Sequence, residues 1–377
     1  MLNVKSLAET LQVIRDNFRA PDTGTQTVAL CDAAGRTLAD DITARDDNPP
    51  YTRSSLDGYA VRASDTFGAS EAIPAMLTQA VYVPTGWPLP PDTDAIAMIE
   101  IAETLGEHVL INSGVAPGTG VVYRGEDAKA GDVVMTAGQM LSPRHVGALA
   151  ALGYAEVPVK KRIKCAVIST GDEIVPIESA GIRDVNSHML CAQIKAFGCD
   201  SVSYGIYPDD EAALSAVVQK AYAECDVVLV SGGSSAGVMD MTKHVFQKAA
   251  GAEILAHGVA IKPGKPTIVA KSGQKALIGL PGHPVSAFFV MLEVVRPLLL
   301  PDKPRPYIIA KLGEKIPSNH GREDFVPVRL DGDTAQTVSY KSGLITLLSQ
   351  SDGYIRIPRL AEGLDCGAQV KVFCYEI

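Results

Sequence analysis

The sequence predicts a multidomain α/β plus β protein, in which an open α/β domain lies between a β-rich N-terminal region and a C-terminal β-barrel. The 377 residues exceed the length of one ordinary domain. Between about residues 161 and 300, strand-like runs alternate with helical segments, which is the pattern of an open, mostly parallel sheet. On both sides of that block, Pro and Gly separate short apolar runs, as is typical of all-β structure.

Two helices outside the α/β block have recognisable starts. Ser6 and Glu9 form a capping box, and apolar residues from Leu7 to Phe18 recur at helical spacing, so the chain begins with an amphipathic helix. A second helix is predicted to begin at Pro143, because proline is tolerated in the first helical turn. In the α/β block, one helix is expected to begin at Asp240 and a long one at Pro284.

These elements divide the chain into four predicted domains. The domains are a linker or helical domain of residues 1–45 and 141–160, a β-rich domain of residues 46–140, an α/β domain of residues 161–300, and a C-terminal domain of residues 301–377. A small β-barrel or a sandwich explains the short β runs of the last domain. One of the strands predicted there is Leu344–Leu348.

Composition narrows the class of protein. The formal charge of −9 argues against a general nucleic-acid binder, although local lysines could still hold a small anion. No apolar run approaches the roughly 20 residues that span a bilayer, and the N-terminal segment lacks the pattern of a signal peptide, so no membrane association is expected. The seven cysteines are scattered without a CxxC pair, which indicates reduced thiols and a cytoplasmic protein.

A ligand site is expected at the carboxyl ends of the strands of the α/β domain. The glycine-rich loop that begins Ser231-Gly232-Gly233 can bring backbone N–H groups close to phosphate oxygens, although a plain tight turn explains it equally well. Lys262 and Lys265 flank a rigid Pro-Gly turn. They could hold an anion, or they could be solvated surface lysines.

Carboxylates fall on the same side of the predicted sheet. They are Asp172, Glu173, Asp209, Asp210 and Asp240. Carboxylates beside a phosphate are explained if Mg2+ bridges the two, but an Asp at a helix start is often only a cap, and Asp210 fits that role best. The residues by themselves therefore predict a phosphorylated ligand with Mg2+.

The order of the motifs along the chain resembles the molybdopterin molybdenumtransferase family, which includes MoeA and the E domain of gephyrin. The motifs that carry this resemblance are SSLDGYAV, RGEDAKAGD, STGDE, DVNS, SGGSSAGVMDMTK, KPGKP and LPGHPVSA, within residues 2 to about 360. The resemblance implies a molybdopterin-binding α/β domain in an elongated, four-domain homodimer with a shared active site. Its members take adenylylated molybdopterin and molybdate, cleave the phosphoanhydride with Mg2+, and release molybdenum cofactor and AMP. Molybdopterin adenylyltransferase and recipient molybdoenzymes are the partners that such a role suggests.

The resemblance also implies roles for single residues. Asp57, Thr85 and Asp127 would line the side of the cleft that the β-rich domain provides. Glu173, Asp209 and Asp240 would serve the metal and the nucleotide. The cofactor would be held by Ser231, Gly232, Gly233, Lys262, Lys265, Pro281, Gly282 and Pro284.

Two positions depart from the family pattern. Gly258 stands where a lysine is often found, and Pro327 stands where many members carry an arginine. Fewer positive charges would weaken oxyanion binding. A tungstate-specific enzyme or a non-catalytic, scaffold-like paralogue therefore stays an alternative. Pterin adenylylation, the preceding step, belongs to smaller proteins that resemble the α/β block alone.

Overall fold

The chain forms two compact units in the computed structural model. The model describes residues 4–19, 21, 23–78, 80–232, 236–301, 303–338, 341 and 343–375. The small unit is Gly24–Lys161, and the large unit combines Met1–Thr23 with Arg162–Ile377. Within the described residues, no helix is both long and apolar enough to cross a membrane.

The first helix, α1 (Leu7–Asn17), belongs to the large unit. Its predicted capping box is confirmed, because the Ser6 backbone N–H donates to the Glu9 carboxylate at 2.7 Å and the Glu9 N–H donates to Ser6 Oγ at 3.2 Å. Leu7 and Ile14 are buried in the core of the α/β sheet. The apolar face of the helix is therefore buried against this sheet.

Most of the regular elements of the small unit are short antiparallel strands. They are β1 (Thr25–Ala29), β2 (Ile42–Thr43), β3 (Arg53–Ser54), β4 (Gly58–Val61), β5 (Ala75–Leu77), β6 (Val81–Val83), β7 (Ala95–Met98), β8 (Ala102–Leu105), β9 (His108–Ile111), β10 (Val121–Val122), β11 (Val133–Met135) and β12 (Glu156–Lys160). Two three-stranded sheets have the orders β6-β4-β7 and β5-β9-β8. The helix α2 (Pro143–Ala151) starts at the predicted proline.

The α/β domain of the large unit has one six-stranded sheet. Its elements are β13 (Lys164–Thr170), β14 (Ile174–Val175), β15 (Ile182–Arg183), α3 (Val185–Ala196), β16 (Asp200–Tyr207), α4 (Glu211–Glu224), β17 (Val227–Gly232), α5 (Ala236–Ala250), β18 (Glu253–His257), β19 (Ile261–Lys262), β20 (Ile268–Ser272), β21 (Lys275–Leu280), α6 (Pro284–Val290) and α7 (Arg296–Leu299). The sheet order is β16-β13-β17-β21-β20-β18. The first four strands are parallel, whereas β20 and β18 are antiparallel to their neighbours. The prediction of an open, mostly parallel sheet is therefore confirmed.

Two helices in this domain differ in detail from the sequence-based expectation. Helix α5 begins at Ala236, one turn before the predicted start at Asp240. The long helix does begin at Pro284, but a π-helical turn, Met291–Val295, separates α6 from α7. That turn is fully buried.

The C-terminal part of the large unit is a closed β-barrel. Its elements are β22 (Tyr307–Leu312), β23 (Ile316–Pro317), β24 (Glu323–Asp331), β25 (Thr334–Thr337), α8 (Ile345–Leu348), β26 (Gly353–Ile357), β27 (Gly363–Leu364) and β28 (Gln369–Cys374). The order β24-β25-β22-β28-β26 closes through a pairing of β24 with β26, and β19 of the α/β domain adds to β24 in parallel. The barrel is thus confirmed over the sandwich.

The predicted strand at Leu344–Leu348 is wrong. The segment forms the short helix α8, from which Leu348 is buried and Ile345 packs against the core of the α/β domain. Residues three apart lie on one face of a helical turn, so this turn buries both side chains on the same neighbour.

Candidate functional site

The ends of the central strands enclose a cavity of about 340 Å³, here called the strand-end cavity. Strand β13 contributes Ser169 and Thr170, and β17 contributes Ser231 and Gly232. The remaining lining comes from Glu173, Ile174, Ile182, Arg183, Asp184, Val185, Asn186, Gly282, His283, Pro284, Gly343 and Ile345. Five predicted site residues therefore meet here: Glu173, Ser231, Gly232, Gly282 and Pro284. Pro281 is buried directly beside them, after the end of β21.

The start of α3 ties the strand ends together. Asp184 caps the helix by accepting from the Ser187 N–H at 3.0 Å, and it also accepts from Ser169 Oγ at 2.9 Å. Asn186 Nδ2 donates to Ser231 Oγ and to the Gly282 carbonyl, each at 2.8 Å. Neither Asp184 nor Asn186 was predicted as a site residue, because an Asp just before a helix and a polar residue in its first turn are explained by capping alone.

Gly232 allows β17 to approach β13 closely. A Cβ atom at this position would lie 2.2 Å from Thr170 Cγ2 and from the Thr170 carbonyl oxygen. No side chain fits there, so glycine is required by packing. Gly233, the third residue predicted to hold phosphate, lies outside the described residues.

The predicted metal ligands are dispersed. Thr170 Oγ1 donates to Asp209 Oδ1 at 2.7 Å, and the Asp209 N–H donates to Asp172 Oδ1 at 3.1 Å. The Asp240 side chain is 74% exposed, and its Oδ1 lies 3.9 Å from His257 Nε2. Across the part of the chain that the structure describes, no three His, Cys, Asp or Glu side chains are grouped as a metal site. Glu173, Asp209 and Asp240 therefore do not form a preassembled ligand set.

His257, beside Asp240, was not predicted as a site residue. Burial lowers the pKa of His257, Lys243 lowers it further, and the Asp240 carboxylate opposes both effects. The imidazole therefore favours its neutral form. Asp210, in contrast, has the plain capping role that the sequence suggests, because its side chain accepts from the Ala213 N–H at 2.8 Å.

A second cavity, of about 460 Å³, lies where β19 meets the barrel and is here called the basic cavity. Its lining includes Lys262, Lys265, Arg322 and Lys341, with Ser286 from α6. The register of β19 with β24 puts Lys262 opposite Asp324. Lys262 Nζ accordingly lies 3.1 Å from the buried Asp324 carboxylate, which also accepts from Ser318 Oγ at 3.0 Å.

The basic cavity carries a net positive charge because four cationic side chains face one carboxylate partner. Such a cluster favours a small polyanion. Lys262 and Lys265 were predicted for this role. Arg322 and Lys341 were not, because nothing in the local sequence shows that these residues of the C-terminal domain lie beside β19.

In the small unit, Asp57 and Thr85 lie together. Asp57 Oδ1 accepts from the Thr85 backbone N–H at 2.7 Å and from Thr85 Oγ1 at 2.9 Å. These two bonds, that of the backbone N–H first, lower the pKa of the Asp57 carboxyl. Asp127 instead accepts from Asn48 Nδ2 at 2.7 Å.

Comparisons with known proteins cover nearly the whole chain. Family models match residues 5–153 as "MoeA N-terminal region (domain I and II)", residues 166–301 as "Probable molybdopterin binding domain" and residues 309–374 as "MoeA C-terminal region (domain IV)". Molybdopterin molybdenumtransferase 2 of Mycobacterium tuberculosis is 32% identical, with 98% of this chain and 99% of that protein covered. The chain belongs to the molybdopterin molybdenumtransferase family.

Other members of the molybdopterin molybdenumtransferase family support the same assignment. The molybdopterin molybdenumtransferase of Bacillus subtilis is 31% identical over 92% of this chain and 89% of its own. The crystal structure of the molybdopterin biosynthesis MoeA protein from Pyrococcus horikoshii superposes with a TM-score of 0.85 at 35% identity, covering 99% of this chain and 100% of that one. The predicted family and fold class are therefore confirmed.

Proposed function

We propose that this protein is a cytoplasmic, Mg2+-dependent molybdopterin molybdenumtransferase, which inserts molybdate into adenylylated molybdopterin and releases AMP. The relatives in Mycobacterium tuberculosis and Bacillus subtilis are named molybdopterin molybdenumtransferases, and this chain aligns with most of the length of each. The observation that carries the proposal is the pairing of the strand-end cavity with the basic cavity in one unit of the fold.

The two cavities adjoin along two segments of the chain. Pro284 lines the strand-end cavity, and Ser286, two residues later in the first turns of α6, lines the basic cavity. Likewise Lys341 lines the basic cavity, and Gly343 lines the strand-end cavity. Two residues span at most about 7 Å. A ligand in one cavity can therefore reach an oxyanion in the other.

The chemistry of the two linings is complementary. Ser231 and Gly232 offer a hydroxyl and close backbone approach to a phosphate. Lys262, Lys265, Arg322 and Lys341 would balance the two negative charges of molybdate. Mg2+ keeps several waters and takes only one or two protein carboxylates when substrate phosphates supply further oxygens. The separation of Glu173, Asp209 and Asp240 is compatible with such a site. Mg2+ would there neutralise the charge on the phosphoanhydride.

The two departures from the family pattern, at Gly258 and Pro327, do not favour a non-catalytic, scaffold-like function. Gly258 has φ +97°, which favours glycine, and Pro327 is a buried barrel residue. Neither could be a basic residue without rearrangement of the backbone or the core. Arg322 and Lys341 place positive charge in the basic cavity by another route. The cavity therefore keeps the charge that an oxyanion requires.

The function is tested by supplying purified protein with adenylylated molybdopterin, Mg2+ and molybdate. We expect AMP release matched by active cofactor, measured by reconstitution of an apo-molybdoenzyme. Tungstate in place of molybdate tests the alternative metal. Folded protein that releases no AMP with either oxyanion would favour the scaffold.

The homodimer with a shared active site is a further part of the proposal. Asp57, with Thr85 and Asp127, would complete the site of the partner subunit, as the family resemblance implies. We expect Asp57→Ala and Asp240→Ala proteins to be inactive alone and to regain part of the activity in mixed dimers. No recovery in a verified heterodimer would contradict a shared site.

A further inference from the structure

Asn186 is a buried polar side chain that lines the strand-end cavity. It is 8% exposed and is the second residue of α3. Both protons of its amide nitrogen are used, one on Ser231 Oγ and one on the Gly282 carbonyl. A carbonyl oxygen can only accept, so the nitrogen must face Gly282 and the orientation of the amide is fixed.

This orientation fixes the role of the Ser231 hydroxyl. Ser231 is 2% exposed, and its oxygen accepts from Asn186, so its own proton remains to be donated. Among the described residues, no acceptor for that proton is found. Ser169 differs, because its hydroxyl already donates to Asp184.

The oxygen of the Asn186 amide gains no hydrogen bond from this arrangement among the described residues. Asn186 Oδ1 is buried and has no hydrogen-bond partner among the described residues. Buried polar groups are nearly always satisfied in native proteins, and an exception calls for an explanation. The amide is held where its nitrogen donates to Ser231 and Gly282, whereas its oxygen has no partner among the described residues.

We propose that Asn186 is a positioning residue that acts through Ser231. By donating to Ser231 Oγ, it directs the Ser231 proton into the strand-end cavity, where that proton meets an anionic oxygen of the ligand phosphate. Its bond to Gly282 holds the loop after β21 at the same place. The inference rests on the proposed function, since it assumes that the ligand is a phosphorylated pterin.

Binding measurements with the full-length protein test this inference independently of turnover. The probes are molybdopterin and the same compound with its phosphate removed. The proteins are the wild type, Asn186→Ala, Ser231→Ala and the double variant. Asn17→Ala serves as the matched control, because Asn17 also bonds a backbone carbonyl but lies on α1, outside the cavity lining.

We expect Asn186→Ala and Ser231→Ala each to weaken molybdopterin binding about tenfold or more, as for a lost hydrogen bond to a charged group. Because Asn186 acts through Ser231, the double variant should bind no more than about twofold worse than Ser231→Ala. Affinity for the dephosphorylated probe should stay within about twofold in every variant, since the phosphate contact alone is lost. Additive losses, or equal losses for both probes, would overturn the inference.

Asn186→Asp is a second variant, which tests the inference even if Asn186→Ala does not fold. It has nearly the same shape, but it presents an acceptor to Ser231 Oγ and turns the serine proton away from the cavity. We expect its loss of molybdopterin affinity to be at least that of Asn186→Ala, with a cooperative thermal transition retained. Wild-type affinity in Asn186→Asp would contradict the inference.

A wild type that binds molybdopterin but releases no AMP would refute the proposed function alone, whereas a wild type that binds neither probe would refute both.

Discussion

At the scale of single residues, Gly232 and Thr170 pack closely at the edge of the strand-end cavity. A Cβ atom at Gly232 would lie 2.2 Å from both the side chain and the backbone of Thr170. We expect Gly232→Ala to lower the free energy of unfolding by about 1–3 kcal/mol, as overpacking does in well-packed interiors. Urea denaturation of the purified variant measures this change.

Gly147→Ala is the control for that substitution. Gly147 lies in helix α2, and nothing lies within 4 Å of the position of its Cβ. Alanine there should leave the stability unchanged or raise it by up to about 1 kcal/mol, because glycine is a poor helix former. Equal effects of the two substitutions would mean that the close approach of β17 to β13 is not required.

Single residues also show what the sequence could predict about the site. Ser231, Gly232, Lys262 and Lys265 were predicted because each lies in a segment of unusual composition at or just after the end of a strand. Asn186 was not, because its importance comes from two hydrogen bonds to residues 45 and 96 positions away in the chain. Local patterns do not record such distant contacts.

At the scale of elements, a buried charge cluster joins the turn between α6 and α7 to the barrel. Glu293 is 1% exposed. Its carboxylate pairs with Arg305 at 3.2 Å and Arg356 at 2.5 Å, and it accepts from the Tyr354 hydroxyl. Removing one partner of a buried pair leaves an uncompensated charge. We therefore expect Glu293→Ala to lower the free energy of unfolding of the large unit by about 3–5 kcal/mol, measured by calorimetry.

An exposed ion pair of the same barrel provides the comparison. Lys315 Nζ lies 3.1 Å from Asp365, and both side chains are more than 70% exposed. Asp365→Ala should change the stability by no more than about 0.5 kcal/mol, because solvent screens such pairs. A Glu293→Ala protein as stable as Asp365→Ala would show that the cluster does not hold the barrel to the α/β domain.

The elements themselves were largely predictable where local and tertiary preferences agree. The capping box of α1, the proline that begins α2 and the start of α6 were all visible in the sequence. Helix α8 was not, because Ile345–Leu348 is as apolar as a strand and its conformation is decided by packing against the α/β core. The π-helical turn at Met291–Val295 likewise has no local signal.

At the scale of the whole molecule, the order of motifs predicted the family and the fold class, which the comparisons confirm. The four domain boundaries stay a prediction, and so does the homodimer. The basic cavity shows why the site could be predicted only in part. It forms because β19 of the α/β domain adds to the barrel strand β24, a pairing that brings Lys262 and Arg322 together from 60 residues apart.

The account depends on the basic cavity being the place where the oxyanion binds. Anomalous diffraction from crystals soaked in molybdate, recorded at the molybdenum edge, tests this most directly. We expect a single strong peak in the cavity lined by Lys262, Lys265, Arg322 and Lys341, and its loss in a Lys265→Met, Arg322→Met variant. Well-ordered crystals of active protein with molybdate bound elsewhere, or with the peak unchanged in that variant, would contradict the account.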